Sequence, residues 1–362
     1  MQRERHKRYV ENLMRIFQTA RQTNIISRYY RNIQEGFYGQ FLYIITPLLL
    51  YSVNLINLIG KGVLYRNGRE FVYVNDIGNS LGLTVLFFLS YFLSGYFPKK
   101  FDEFMMHGTS QEVQNSFQEY KNPDHFSLFR WIYQMALFGI VFAVVILFYN
   151  VIKNNDAYWM KMLDKFGILY YCFLLGVTWY CSLTVLCMTV SAGMLIFCFL
   201  RDGQMVYRED DYNRNISVIK ALDVLVCIIS HGLVYISGSV IVVLNDRIAV
   251  AYGIHYLFYN DIYVAVFALF IVCLTVLECI PLKELLEFMR TKKDEMIVRL
   301  NRQIEAEGEE VIRKSLIEKR NGFIAEKLVM TTAGNKVMII LSVMIPLAGI
   351  VLQGMELYAA IK

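Results

Sequence analysis

Charge is what this sequence has least of. Only 19% of its 362 residues are Asp, Glu, Lys or Arg, where a soluble domain carries about 25%. Five prolines and 22 glycines exclude a collagen-like or disordered chain. No Walker A loop is present, which excludes an ATPase acting alone. HExxH, CxxC and a paired intramembrane carboxylate cluster are missing as well. No catalytic residue, metal site or cofactor is therefore expected, and the chain is not expected to be an enzyme. An arginine-rich voltage-sensing span, a TVGYG-like filter and a retinal-binding lysine in the last span are also lacking, as are the DRY and NPxxY signatures of G-protein-coupled receptors. The two halves show no inverted repeat, which disfavours a secondary transporter.

Apolar residues are what it has in surplus. They make up 56% of the chain, and Tyr and Phe number 25 each; the mean hydropathy is +0.40. A water-soluble fold has no interior for so many. Tyrosines in such numbers suit two membrane interfaces. Seven stretches are long and uncharged enough to cross a bilayer, which takes roughly 20 residues. They run over 37–59, 77–97, 131–151, 167–200, 221–244, 262–282 and 337–361. Barrel strands would be half as long and would alternate apolar with polar residues; Val141–Ile146 and Val337–Val343 do not alternate. The expected fold class is all-α: a polytopic membrane protein of seven transmembrane helices with cytosolic helical extensions.

Basic residues set the orientation. The segment before the first span and the second, fourth and sixth connections hold 28 Lys and Arg, and the other face holds 8. The positive-inside rule then puts the N-terminus in the cytoplasm and the C-terminus outside. The net charge of +5 is the cytosolic collar of a multi-pass plasma-membrane protein, and no nucleic-acid partner is implied. Residues 1–36 read as a cytosolic amphipathic segment in which Val10–Ile33 rests on the anionic inner leaflet. No cleavable signal is expected. All seven cysteines lie in spans four to six, where a thiol behaves as a small apolar side chain.

Residues 37–282 hold spans one to six, and 283–335 is the one large soluble piece. Apolar residues at Leu285, Leu286, Met289, Met296, Ile297, Leu300 and Ile304 have helical spacing and continue the sixth span past Pro281. Gly308 predicts a break before a second helix with Val311, Ile312, Leu316, Ile317, Ile324 and Leu328, and TTAGNK interrupts before the last span, 336–362. A cytosolic helical hairpin results. The fourth span, Gly167–Leu200, would be about 50 Å long against a hydrocarbon core of about 30 Å, so its cytosolic end should protrude. Apolar stripes on these helices need partners, and neighbouring subunits are expected to supply them.

Polar residues at membrane depth are costly and default to functional hypotheses. Asp223 and Glu278 lie near the cytosolic ends of their spans, beside Lys220 and Lys283, and read first as interfacial carboxylates. His231 lies near the middle of the fifth span with Ser230 and Tyr235 close by. It is either a helix-packing hydrogen bond or a ligand pocket. In the last span Ser342, Pro346, Gly349, Gln353 and Glu356 are spaced four, three, four and three apart. That puts them on one helical face, as either a pore lining or a packing seam.

Seven spans, a cytosolic N-terminus, elongated spans four and six and a helix–break–helix approach to a last span together resemble the insect gustatory and odorant chemoreceptors. In the motif of their last span, Gln353 follows the five apolar residues Ala348–Leu352, while Pro346, Leu347 and Gly354 stand at the other positions. The resemblance implies a homotetrameric cation channel whose last spans line the pore, whose cytosolic helices anchor the centre, and whose small-molecule ligand enters among spans two to six. Membrane lipids are the other expected partner. The alternative function is a non-conducting membrane scaffold, or a subunit of a transport or envelope complex, that docks through residues 283–335.

Overall fold

The computed structural model of the chain describes residues 2–33, 37–60, 70–121, 127–154, 165–206, 221, 224–225, 227–228 and 260–325. These residues are all-helical, with nine helices and no strand: α1 (Gln2–Thr23), α2 (Ile25–Ile33), α3 (Phe37–Gly60), α4 (Glu70–Gly108), α5 (Gln111–Glu119), α6 (Ser127–Asn154), α7 (Lys165–Arg201), α8 (Asn260–Ala306) and α9 (Glu310–Ala325). Among them, α7 and Leu128–Ile146 of α6 are long and apolar enough to cross a membrane, and α3 has a shorter apolar run, Tyr38–Val53. The stretches 221–244 and 337–361 fall outside the described residues, apart from five positions between 221 and 228.

The organising element is α7. At 37 residues it is about 55 Å long, and it packs against α1, α3, α4, α6 and α8. Two-thirds of its apolar window, 67%, is buried inside the molecule. It ends in a Schellman motif. Gly203 takes φ +65°, the Gln204 N–H donates to the Phe199 carbonyl at 2.9 Å, and the Gly203 N–H donates to the Leu200 carbonyl at 3.3 Å. Only the glycine accepts that left-handed turn without strain. The chain then pairs for one antiparallel bridge, Thr109 with Met205. The Ser110 N–H donates to the Gln204 carbonyl at 2.8 Å and the Val206 N–H to the Gly108 carbonyl at 3.0 Å. The C-terminal ends of α4 and α7 are thereby tied together.

Around this tie lies the main core. It joins Leu13, Met14 and Phe17 of α1 to Phe97, Phe101 and Phe104 of α4, Phe117 of α5, Val185 to Leu200 of α7, and Leu285 to Leu300 of α8. Four parts of the chain that carry most of its basic residues thus meet at one end of the molecule.

Two expectations need correction. Instead of lying on a membrane surface, the apolar face of α1 is covered by protein. Leu13, Met14, Phe17 and Ala20 are all buried, and the Phe17 ring sits 4.1 Å from Phe101, 6.3 Å from Phe97 and 6.4 Å from Phe117. Spacings of one, three and three make a single stripe, and three rings offer it a specific, tightly packed partner. The stripe of α8, expected to face other subunits, is covered in the same way. Leu285, Met289, Met296, Leu300 and Ile304 are buried within their own chain, and Leu316 of α9 packs on the same core. This happens because α8 continues unbroken through Pro281, breaks at 307–309, and α9 folds back along it. Arg320 Nη1 donates to Asn301 Oδ1 across that hairpin at 3.3 Å. Among the described residues, Val298, Val311, Ile312 and Ile324 are the large apolar side chains left exposed on it.

Candidate functional site

The best-formed polar site is a buried seam where α2, α3, α4 and α7 meet. It begins at the elbow between α1 and α2. Asn24 caps α2: its Oδ1 accepts from the Ile26 N–H at 2.9 Å and the Ser27 N–H at 3.1 Å, satisfying amides that have no helical partner. Tyr180 of α7 closes the elbow from the other side. Its hydroxyl donates to the Thr23 carbonyl at 2.6 Å and accepts from the Ile25 N–H at 3.4 Å.

Pro98 shapes the next contact. A proline inside a helix has no N–H to give to the carbonyl four residues back, here that of Ser94 on α4. The Ser27 hydroxyl of α2 donates to that carbonyl. A freed carbonyl buried away from water needs a partner from a neighbouring element, and α2 supplies it. Deeper along the seam, Ser90 Oγ and Ser182 Oγ are 2.8 Å apart, joining α4 to α7.

Four tyrosines fill the space between. Tyr43 of α3 donates to the Tyr91 carbonyl at 2.9 Å, and its ring lies 4.8 Å from Tyr91 and 4.7 Å from Tyr30. Tyr29 Oη sits 3.2 Å from Thr46 Oγ1. The approach is close enough to require glycine at Gly95. A Cβ there would fall 2.5 Å from the Tyr43 hydroxyl and 2.8 Å from the Tyr30 ring. On α2, outside the apolar stretches, burial pushes the Tyr30 phenol above its ordinary pKa, and neighbouring Tyr96 adds to the rise.

Chemically the seam is a set of hydroxyls and backbone carbonyls with no charged member. It hydrogen-bonds one helix to the next and couples the α1–α2 elbow to the apolar helices. Cys172, Cys181, Cys198 and Cys227 are buried, Cys187 is half-buried, and none of the five forms a disulfide. Among the described residues no group of three His, Cys, Asp or Glu gathers to hold a metal ion.

Ser230, His231 and Tyr235, and Ser342, Pro346, Gly349, Gln353 and Glu356, fall outside the described residues, as does Asp223. Glu278 falls within α8. Sequence reasoning missed Asn24, Ser27 and Tyr180; a helix read through Pro98 would have signalled that a donor must reach Ser94. Comparison with protein-family models, with curated proteins and with solved structures finds no match to this chain.

Proposed function

We propose that the chain is a multi-pass plasma-membrane protein of seven crossings, with its N-terminus in the cytoplasm, that assembles as a homotetrameric, ligand-gated or otherwise regulated cation channel on the plan of the insect chemoreceptors. The surface of α6 carries the membrane part of this reading. Over Leu128–Ile146 the helix is apolar, yet only 6% of that window is buried inside the molecule. Tyr133, Leu137 and Val141 pack toward α7, while Trp131, Ile132, Met135, Ile140 and Phe142 are exposed. In a soluble protein an apolar core helix is covered, because each large side chain left in water forgoes about 1.5–3 kcal/mol. Lipid makes the bare surface of α6 favourable. Alternate crossing also requires the segments before the first span and after the second, fourth and sixth to share one side, and the single core they build supports that arrangement.

Conduction is assigned to the last span. Ser342, Pro346, Gly349, Gln353 and Glu356 line the pore, and His231, Tyr235 and Ser230 contribute to a ligand pocket. A ring of Gln353 and Glu356 oxygens near the outer mouth would replace part of a cation's hydration. The second reading, a non-conducting scaffold, draws on the exposed Val298, Val311 and Ile312 of the hairpin. Purified protein in planar bilayers separates the two. A cation current that Glu356→Lys reduces or turns toward anions is expected. Bilayers silent under every stimulus, with protein inserted, would leave the scaffold.

A further inference from the structure

Below the seam lies a cluster of charge with one sign in excess. Arg21 of α1 is buried, with 8% of its surface exposed. Its Nη1 donates to Asp102 Oδ1 of α4 at 2.6 Å, while its Nε is buried without a partner. Lys121, just beyond α5, places Nζ 3.6 Å from the other Asp102 oxygen, and its carbonyl accepts from Gln22 Nε2 at 3.0 Å. Arg28 of α2 donates from Nε to the Gln22 carbonyl at 2.5 Å. Arg31, one turn further on, reaches solvent, yet it is partly desolvated. That desolvation and then the like charge of Arg21 lower its pKa; Asp102 opposes them, and Arg28 lowers it again. Asp102 thus pairs directly with two of these cations, Arg21 and Lys121, while Arg28 binds the Gln22 carbonyl next to Arg21 and Arg31 is close enough to feel the charges of Arg21, Asp102 and Arg28. Holding like charges this close is unfavourable until an anion joins them.

The depth of the cluster says which anion. Apolar helix surface begins just past it on three elements. On α3, Tyr38 is 83% exposed and is followed by the exposed Phe41 and Leu42. On α4, the exposed Tyr96, six residues before Asp102, has Lys100 Nζ 5.4 Å from its ring centroid. On α6, exposed Leu128 and Trp131 follow Lys121. Exposed Tyr and Trp beside Lys and Arg mark the boundary between hydrocarbon and headgroups. A phosphate is the anion found at that level, and guanidinium groups match its geometry.

We propose that Arg21, Arg28, Arg31 and Lys121, arranged around Asp102, form a binding site for the phosphate of an anionic membrane phospholipid. Arg21 and Lys121 are held in place by Asp102, and the exposed Arg28 and Arg31 close on the headgroup. Because Arg21 and Arg28 flank the elbow that Asn24 and Tyr180 shape, a bound lipid would also brace the junction between the helical end and the apolar helices. The proposal rests on the membrane reading above.

The test uses the full chain in nanodiscs of phosphatidylcholine, with phosphatidylglycerol or phosphatidylinositol 4-phosphate added as the probe and retained lipid counted by native mass spectrometry. Arg28→Gln with Arg31→Gln removes two exposed charges and should weaken retention of the anionic lipids roughly 30-fold, at about one unit of surface attraction per residue. Arg302→Gln with Arg313→Gln, on the exposed hairpin, should leave it unchanged. Equal loss in both pairs, or retention of phosphatidylcholine as strong as that of the anionic lipids, would overturn the site. Full displacement by inorganic phosphate or glycerol phosphate would show a free-phosphate site and overturn the lipid assignment. Alkaline carbonate extraction of the same variants reads insertion separately. Protein that is inserted but not selective sinks this proposal alone, whereas protein released by carbonate sinks the membrane reading.

Discussion

Replacing Ile140 by arginine should keep the protein out of the membrane or expel α6 from it. Ile140 is exposed near the middle of the Leu128–Ile146 stretch. At the centre of a transmembrane helix an arginine costs about 2.5–3.5 kcal/mol. On the surface of a soluble protein the same change stays within about 0.5 kcal/mol. The two environments therefore predict different results for one substitution. Carbonate-resistant, correctly glycosylated reporter fusions should fall severalfold for Ile140→Arg. Val298→Arg, on the exposed face of the hairpin, should behave as the parent does. An Ile140→Arg protein with unaltered membrane yield would mean that α6 is solvated or covered by another chain.

The second large effect is expected at Phe17. This ring has no exposed surface and touches Phe97, Phe101 and Phe117, so Phe17→Ala deletes the centre of an aromatic cluster. Large-to-small changes of this kind cost about 3–5 kcal/mol. Because α1 joins the core through this one stripe, the loss should fall on its docking. Detergent-solubilised Phe17→Ala should melt at a clearly lower temperature, and trypsin should cleave faster at Arg15 and Arg21. Arg8→Gln, on the exposed face of α1, should change neither. Were α1 instead resting on lipid, Phe17→Ala would lower membrane affinity and leave the melting temperature where it was.

How much of this was legible beforehand differs by element. The long helices were legible because an apolar run of membrane length can satisfy its backbone only as a helix; α7 was expected over 167–200 and runs over 165–201. The hairpin break was legible because Gly308 interrupts two helical patterns, and the structure breaks at 307–309. What covers an amphipathic stripe was not legible. Spacing says that Phe17 and Leu300 share faces with other apolar residues, but lipid, a second subunit and the chain's own core look alike from the sequence. The polar seam was not legible: the second apolar stretch was read as ending at residue 97, whereas the helix continues through Pro98 and frees the Ser94 carbonyl, and the donor, Ser27, lies 67 residues away. Nothing local pairs Arg21 with Asp102, 81 residues apart. Only the packing of α1 against α4 brings them together.

The central claim is that this chain builds a symmetric membrane oligomer with a conducting axis. Its most direct test is the native mass of the full protein extracted in mild detergent. The account predicts one dominant species of four chains, each of 42.2 kDa, with retained lipid adding to the mass. A monomer, or a fixed complex with other polypeptides, would contradict it.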